Sequence, residues 1–108
     1  LDYFLSGLDK KNISGLNITV PYKEKILEFV KLDLESFYLK QLKAVNTIVN
    51  KDGIWKGFNT DVPGFLKHLK EQFDPANKKA AILGAGGAAR AVTYALANSA
   101  AAEIILNN

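Results

Sequence analysis

Polar residues at alternate positions, followed by a proline and a lysine, form the first stretch of this chain that could carry chemistry. In residues 15–25, GLNITVPYKEK, Asn17 and Thr19 lie two positions apart, so both face the same side of a predicted strand. Pro21 ends that strand and serves as the first residue of a predicted helix, which places Lys23 just inside it. This end of a helix disfavours a cation, so Lys23 is a candidate for a chemical role. The alternative is an ordinary surface lysine that pairs with Glu24 or Glu28.

More polar residues stand at the ends of later β-rich runs. Asn46 and Asn59 belong to AVNTIVN and GIWKGFN, and Asp52-Gly53 between these runs predicts a β-hairpin. The next run, DVPGFLKHLKEQF, predicts a helix with Asp61 as its N-cap. Open α/β sheets collect ligands at strand ends, so these polar side chains are candidates for a binding site.

A glycine-rich turn near the end of the chain carries the most specific local motif. Residues 84–89, GAGGAA, fit G-x-G-x-x-[G/A] between the predicted strand AAIL and a predicted helix. In this pattern Gly84 makes the tight turn, Gly86 lets the backbone approach a pyrophosphate, and Ala89 lets helix and strand pack closely. The alternative is a merely tight turn. The unit continues to a second strand, EIIL, which favours dinucleotide binding.

The end of that second strand bears on the choice of dinucleotide. NAD sites normally carry Asp or Glu there, where the carboxylate binds the ribose 2′-hydroxyl. This chain has Leu106-Asn107-Asn108 at that end, and Glu103 lies at the opposite end of the strand. Without a carboxylate to repel a 2′-phosphate, the sequence favours NADP.

Composition excludes several classes of function. The chain has no cysteine, which excludes disulfides and thiolate chemistry, and no apolar run reaches membrane-spanning length. Its net charge of +3 comes from lysines scattered among acids and a single arginine, unlike a nucleic-acid surface. We therefore expect a cytoplasmic protein that binds a small molecule, with no nucleic-acid, membrane or metal partner.

The turn-rich run DPANK predicts a domain boundary. Residues 1–76 are then part of one domain and residues 77–108 form the first βαβ unit of another. Upstream of the boundary, LDYFLSGL, PYKEKILEFVK and LESFYLKQL predict helices and SGLNITV predicts a strand. The chain starts without Met and stops directly after EIIL, so we expect it to be a piece of a longer protein.

Four motifs occur in a fixed order: GLNITVPYK, AVNTIV, GFNTDVPGF and LGAGGAAR. With them the chain resembles the shikimate dehydrogenase family, which includes quinate dehydrogenases, over roughly residues 14–108. The family's signatures are close to N-[IV]-T-x-P-x-K, A-V-N-T, N-T-D-x-x-G and G-A-G-G-A-x-R. The resemblance implies a two-domain α/β architecture, in which a substrate domain precedes a Rossmann NADP-binding domain. It also implies NADPH-dependent reduction of 3-dehydroshikimate to shikimate in aromatic amino-acid biosynthesis.

The same resemblance assigns roles to individual residues. Lys23 and Asp61 are the implied catalytic pair at the reacting oxygen, and both also bind substrate, together with Thr19 and Asn46. The implied cofactor-binding residues are Gly84, Ala85, Gly86, Gly87, Ala88 and Arg90. The family's S-x-S-P motif, which binds the substrate carboxylate, and most of its nucleotide domain have no counterpart here. We therefore expect residues 1–108 alone to be inactive and the complete protein to be a monomer or homodimer.

Alternative interpretations remain open. One is quinate/shikimate dehydrogenation, and another is a non-catalytic metabolite sensor on the same scaffold, although intact Lys23 and Asp61 favour the enzyme. A methylenetetrahydrofolate-type dehydrogenase is disfavoured by the NTD and AVNT motifs. His68 is expected to be a solvated surface residue, and Trp55 is expected to pack rather than to stack on a ligand.

Overall fold

The computed structural model describes the backbone of residues 1–108 and every side chain except that of Asp9. It divides the chain into two units, Leu1–Asn59 and Thr60–Asn108, each with its own sheet. This division follows the packing of the chain. The predicted boundary after residue 76 concerns the functional domains and stays a prediction.

The first unit combines short helices with an antiparallel sheet. Its helices are α1 (Asp2–Asp9), α2 (Tyr22–Lys25) and α3 (Leu39–Leu42), with a 3₁₀ turn at Ile26–Phe29 directly after α2. Its strands are β1 (Gly15–Asn17), β2 (Thr47–Lys51) and β3 (Ile54–Phe58), in the sheet order β1-β2-β3.

The hairpin predicted at Asp52-Gly53 is present. β2 and β3 pair antiparallel, and Lys51 faces Ile54 across the two-residue turn. Both turn residues have positive φ, 54° at Asp52 and 83° at Gly53. Two consecutive positive φ angles match the right-handed twist of the flanking strands, which explains why Asp-Gly occurs here.

The first unit buries an apolar core. Its buried side chains are Leu5, Ile26, Leu39, Leu42, Ala44, Val45, Ile48 and Trp55. Trp55 is only 6% exposed, so the packing role predicted for it is confirmed. A Cβ atom at Gly57 would lie 2.9 Å from Cγ2 of Val30, so this strand position needs a residue without a side chain.

The first strand is shorter than predicted, and this changes the setting of Thr19. β1 ends at Asn17, and Ile18 makes one further bond, from its N–H to the carbonyl oxygen of Asn46 at 2.7 Å. Thr19 then enters a turn instead of continuing the strand. The prediction that Asn17 and Thr19 share a strand face was therefore wrong, because a local turn captures the backbone of Thr19.

The helices predicted after this strand are also shorter. Pro21 is the N-cap of α2 rather than its first residue. The run predicted as a helix from Leu34 becomes α-helical only in α3, because its earlier part closes i→i+3 bonds, such as Leu39 N–H to the Ser36 carbonyl at 3.0 Å. Bonds of this spacing form 3₁₀-type turns rather than an α-helix.

The second unit contains α4 (Asp61–Gln72), β4 (Lys79–Leu83), α5 (Gly87–Ala97) and β5 (Glu103–Asn107). β4 and β5 pair in parallel, so the predicted strand–turn–helix–strand unit is confirmed. α4 packs against α5, and α5 buries Ala91, Ala95 and Leu96. Small residues spaced four apart give one face of α5 a narrow profile that allows close packing.

No helix in the described part of the chain is both long and apolar enough to cross a membrane.

Candidate active site

The three strand-end asparagines of the first unit lie at one end of its sheet. Asn17 is the last residue of β1, Asn46 directly precedes β2, and Asn59 directly follows β3. β2 runs antiparallel to both neighbours, so its start lies beside their ends. Their predicted positions at strand ends are confirmed.

Thr19 is placed by the turn that follows β1. Its carbonyl oxygen accepts the N–H of Tyr22 at 2.8 Å, which closes the turn into α2. The preceding residue, Ile18, donates its N–H to Asn46 as described above. Thr19 is exposed, and it therefore stands on the surface one residue away from a backbone bond to Asn46.

Lys23 is tied to the same region through its backbone. Its carbonyl oxygen accepts the N–H of Val45 at 2.8 Å, and Val45 directly precedes Asn46. Lys23 is half-buried in α2. Backbone bonds thus place Thr19, Lys23 and Asn46 in one neighbourhood, although Asn46 is distant in sequence from the other two.

The side chain of Asn46 is oriented by its neighbour. Its Oδ1 accepts the hydroxyl of Thr47 at 3.1 Å, and its backbone N–H donates to the carbonyl of Phe58 at 3.0 Å. Asn46 therefore makes backbone bonds toward both neighbouring strands, and its half-buried amide is held at the end of the sheet.

A cleft of about 530 Å³ opens beside Thr19. Its lining is mostly apolar and includes Leu1, Phe4, Leu16 and Tyr22, with Asn17 and Thr19 as the polar members. Apolar walls with a few polar groups are typical of small-molecule sites. Sequence reasoning did not single out Phe4 or Tyr22 as lining residues, because only the fold brings α1 beside β1.

Asp61 belongs to the second unit, where it is the first residue of α4. The predicted N-cap role was wrong, because Thr60 is the N-cap and its carbonyl oxygen accepts the N–H of Gly64 at 3.0 Å. A carboxylate in the first turn of a helix is still favoured by the helix dipole. The pairing of Asp61 with Lys23 stays a prediction.

The glycine turn of the second unit has the geometry expected of a phosphate-binding loop. Gly84 has a φ of +119°, which L-residues with side chains rarely adopt, and its N–H donates to the carbonyl of Asn107 at 2.6 Å. Gly86 is the N-cap of α5, with its backbone in an extended conformation. A Cβ atom on either glycine would meet nothing within 4 Å, so open space lies against the backbone here.

The start of α5 offers donors to that open space. The first N–H groups of a helix have no partner within the helix, and the first such bond here runs from Arg90 to the carbonyl of Gly86 at 3.0 Å. Ala85 and Ala88 are exposed, whereas Gly87 and Arg90 are half-buried. This arrangement fits the diphosphate of a dinucleotide.

The register of β4 and β5 fixes the distance of acidic residues from the glycine turn. Lys79 pairs with Glu103 at the far end of the two strands, and their side chains approach to 3.7 Å. Asn107, in contrast, lies at the turn itself through its bond to Gly84. The residue beside the turn at the end of β5 is therefore an amide and not a carboxylate.

His68 lies on α4, where its side chain is 82% exposed and 4.0 Å from Glu71. This agrees with the solvated surface role expected of it. Among the side chains that the structure describes, no group of three or more His, Asp or Glu residues could hold a metal ion.

Comparison with known proteins shows what the chain is similar to. Residues 1–48 match the family model for the shikimate dehydrogenase substrate binding domain. An NADP(+) shikimate dehydrogenase of Moorella thermoacetica is 50% identical over 105 residues, which are 96% of this chain and 35% of that protein. The enzyme of the same name from Carboxydothermus hydrogenoformans is 52% identical over 103 residues, 94% of this chain and 36% of that protein. The chain thus spans little more than a third of the length of these curated relatives.

Solved structures agree with these relatives. Shikimate dehydrogenase from Aquifex aeolicus has a TM-score of 0.86 and 36% identity, covering 100% of this chain and 41% of its own. Shikimate 5-dehydrogenase from Thermus thermophilus, in complex with NADP(H) and shikimate, has a TM-score of 0.78 and 33% identity. This match covers 98% of this chain and 41% of that protein's chain. Quinate dehydrogenase from Corynebacterium glutamicum, in complex with NAD, has a TM-score of 0.84 and 35% identity. This match covers 98% of this chain and 38% of that protein's chain.

Proposed function

Because this chain is related to shikimate dehydrogenases over nearly all of its length, we propose that the protein carrying it reduces 3-dehydroshikimate to shikimate with NADPH. The observation that carries the proposal is the set of backbone bonds that gathers Thr19, Lys23 and Asn46 at one end of the first unit's sheet. The reaction serves aromatic amino-acid biosynthesis in the cytoplasm.

The first unit and Asp61 would supply the substrate contacts. The hydroxyl of Thr19 and the amide of Asn46 bind ring hydroxyls of the substrate, and Asp61 accepts a further hydroxyl. Lys23 donates the proton that the developing alkoxide needs when the ketone is reduced. Asp61 is the proposed partner of Lys23 in catalysis. This assignment uses a cation whose backbone is bonded to the residue before Asn46.

The second unit would bind the cofactor as the start of a Rossmann domain. NADPH, when bound, supplies the hydride for the ketone. Gly84 shapes the turn, Gly86 leaves room for the diphosphate, and the N–H groups of Gly87 and Ala88 face it, with Ala85 and Arg90 beside it. The open space at Gly86 supports this role. The acid-free end of β5 favours the 2′-phosphate of NADPH.

Quinate dehydrogenation is the second candidate, favoured by the similarity to the quinate dehydrogenase of Corynebacterium glutamicum. Quinate differs from shikimate by an added ring hydroxyl and the loss of the ring double bond. The same polar residues could serve both rings. Residues that contact the carboxylate side of the substrate would then discriminate between shikimate and quinate.

Steady-state oxidation tests the proposal directly. The protein that carries this chain is assayed with shikimate and with quinate, each with NADP⁺ and with NAD⁺, by following the reduced cofactor. We expect the highest kcat/KM with shikimate and NADP⁺. Preference for quinate would favour the second candidate. Binding of shikimate without turnover of either substrate would favour a metabolite sensor and would contradict the proposed enzymatic function.

A further inference from the structure

Asn59 places an amide inside the first unit. It directly follows β3 and is 4% exposed. Among the residues whose side chains are described, no other polar residue is classed as buried. Its Nδ2 donates to the carbonyl oxygen of Ala44 at 2.9 Å. Buried polar groups are normally hydrogen-bonded, and this amide satisfies a backbone carbonyl.

The carbonyl that Asn59 holds belongs to the segment that carries the site. Residues 44–46 precede β2 and lie outside any strand. The first residue of the segment accepts from Asn59, the second donates to the carbonyl of Lys23, and the third donates to the carbonyl of Phe58. Three consecutive residues are thus fixed from three different directions, and the Asn59 bond is the one made by a side chain.

We propose that Asn59 is a positioning residue for the reaction. By holding the Ala44 carbonyl it fixes residues 44–46, and through them it sets where Lys23 and Asn46 stand. Asn59 does not touch substrate, because its side chain points into the unit rather than to the surface. The inference rests on the proposed function, because that function assigns proton donation to Lys23 and substrate binding to Asn46.

The chemistry of the bond makes the role specific to a donor. Aspartate has nearly the same shape as asparagine, but its carboxylate only accepts hydrogen bonds. At position 59 it would set an acceptor against the carbonyl oxygen of Ala44. Alanine would remove the donor without adding a charge. Both changes release residues 44–46, whereas a substitution that keeps the donor would not.

Asn50 provides a matched control in the same sheet. It lies in β2 beside the hairpin, at the other end of the sheet, and its Oδ1 accepts the N–H of Gly53 at 2.8 Å. Here aspartate retains the acceptor that is used. Asn50→Asp therefore makes the same chemical change as Asn59→Asp but conserves the hydrogen bond.

The first experiment measures shikimate oxidation by the protein that carries this chain. Asn59→Ala and Asn59→Asp are compared with Asn50→Asp, each at a temperature where melting curves show the variant folded. We expect kcat/KM for shikimate to fall roughly ten- to hundredfold in both Asn59 variants, the scale of a misplaced catalytic group. The KM for NADP⁺ should stay unchanged in all three, as should kcat/KM for shikimate in Asn50→Asp.

The second experiment needs no turnover. Amide hydrogen exchange of the same protein reads the N–H groups of Val45 and Asn46, with Asn50 as the internal reference because its N–H bonds Ser14 elsewhere. In Asn59→Ala we expect faster exchange at the first two and no change at the reference. This result stands even if shikimate is not the substrate, so it separates failure of the positioning role from failure of the proposed function.

Three outcomes would overturn the positioning role. The first is a folded Asn59→Ala variant with unchanged exchange at Val45 and Asn46. The second is an unchanged kcat/KM for shikimate in both Asn59 variants of a protein that turns shikimate over when it is unsubstituted. The third is loss of folding in both Asn59 variants while Asn50→Asp folds, because Asn59 would then support the whole unit rather than the site.

Discussion

Lys23, the proposed proton donor, is placed by the segments around it. The helix that carries it has only four residues, too short to be stable alone, so its place depends on tertiary bonds such as the one from Val45 to the Lys23 carbonyl. The neighbouring Lys25 is exposed on the same helix. The two lysines therefore share a helix but differ in exposure, because Lys23 is half-buried.

This difference gives a prediction about the catalytic pair. Lys23→Ala and Asp61→Asn should each lower kcat by roughly 10²–10⁴-fold, because each removes a positioned acid–base group. The double variant should lose far less than the product of the two effects, since the residues act together. Steady-state kinetics of the protein that carries this chain measures both, with Lys25→Ala as the control. A Lys23→Ala variant that keeps its kcat and loses only substrate affinity would make the lysine a binding residue.

A second prediction at the residue scale concerns Trp55. Its Nε1 is buried and finds no acceptor among the described side chains and backbone groups. Phenylalanine would lose some apolar contact but would also remove a donor whose burial costs about 1–3 kcal/mol. We expect Trp55→Phe to change the free energy of unfolding by less than about 1 kcal/mol, against about 3–5 kcal/mol for Trp55→Ala. Urea unfolding measures both; equal losses would mean that the indole N–H is satisfied.

At the scale of elements, the two glycines of the turn between β4 and α5 serve different purposes: one allows the backbone conformation and the other leaves space for a ligand. Gly84 requires a positive φ, whereas Gly86 has φ −76° and ψ −171°, an ordinary extended conformation. Open space surrounds both positions. A methyl group therefore acts through backbone strain at the first glycine and through occupied space at the second.

The two alanine variants should accordingly differ in kind. Gly84→Ala should lower the free energy of unfolding by about 1–3 kcal/mol through strain. Gly86→Ala should leave stability unchanged but raise the KM for NADP⁺ at least about tenfold, the scale of one lost hydrogen bond to a charged group. Thermal melting and kinetics together distinguish them, and the KM for shikimate is the control. Normal NADP⁺ affinity in Gly86→Ala would contradict the proposed phosphate site.

At the scale of the whole molecule, two units with separate sheets carry different halves of the proposed chemistry. The first holds Thr19, Lys23 and Asn46, and the second holds Asp61 and the glycine turn. The chain corresponds to little more than a third of the Moorella thermoacetica relative.

Cofactor preference is the first prediction at this scale. We expect NADPH to be used with higher kcat/KM than NADH, because the end of β5 beside Gly84 carries Asn107 and Asn108 and no carboxylate. Placing an acid there by Asn107→Asp should weaken NADPH more than NADH, since the 2′-phosphate would meet a negative charge. Equal use of the two cofactors by the unsubstituted protein would count against the assignment.

The second prediction at this scale is self-association of the polypeptide of residues 1–108. β5 pairs with β4, and no other described strand covers its second edge. Ile105 and Leu106 on it are 52% and 56% exposed. An uncovered apolar strand tends to pair with another chain, so we expect concentration-dependent association in sedimentation velocity. Ile105→Lys should reduce it and His68→Lys, on an exposed helix face, should not; a monomer at all concentrations would refute this.

The sequence by itself determined the features that depend on neighbouring residues. The Asp52-Gly53 hairpin follows from two residues that tolerate positive φ, and the βαβ unit follows from the glycine spacing at residues 84–89. Such turns are set by backbone sterics within a few residues. The ordered motifs likewise carry the resemblance to the shikimate dehydrogenase family. Helix lengths were less predictable, because short helices depend on tertiary packing.

Only the tertiary structure decided which polar residues face a site and which support it. From sequence, Asn46 and Asn59 were equivalent strand-end amides, yet Asn59 points inward to Ala44. Thr19 left its predicted strand because a local turn holds its carbonyl, and hydrogen bonds between distant segments bring Thr19 and Lys23 near Asn46. These bonds join residues far apart in the chain, and their geometry depends on how the sheet and its core pack, which no local pattern encodes.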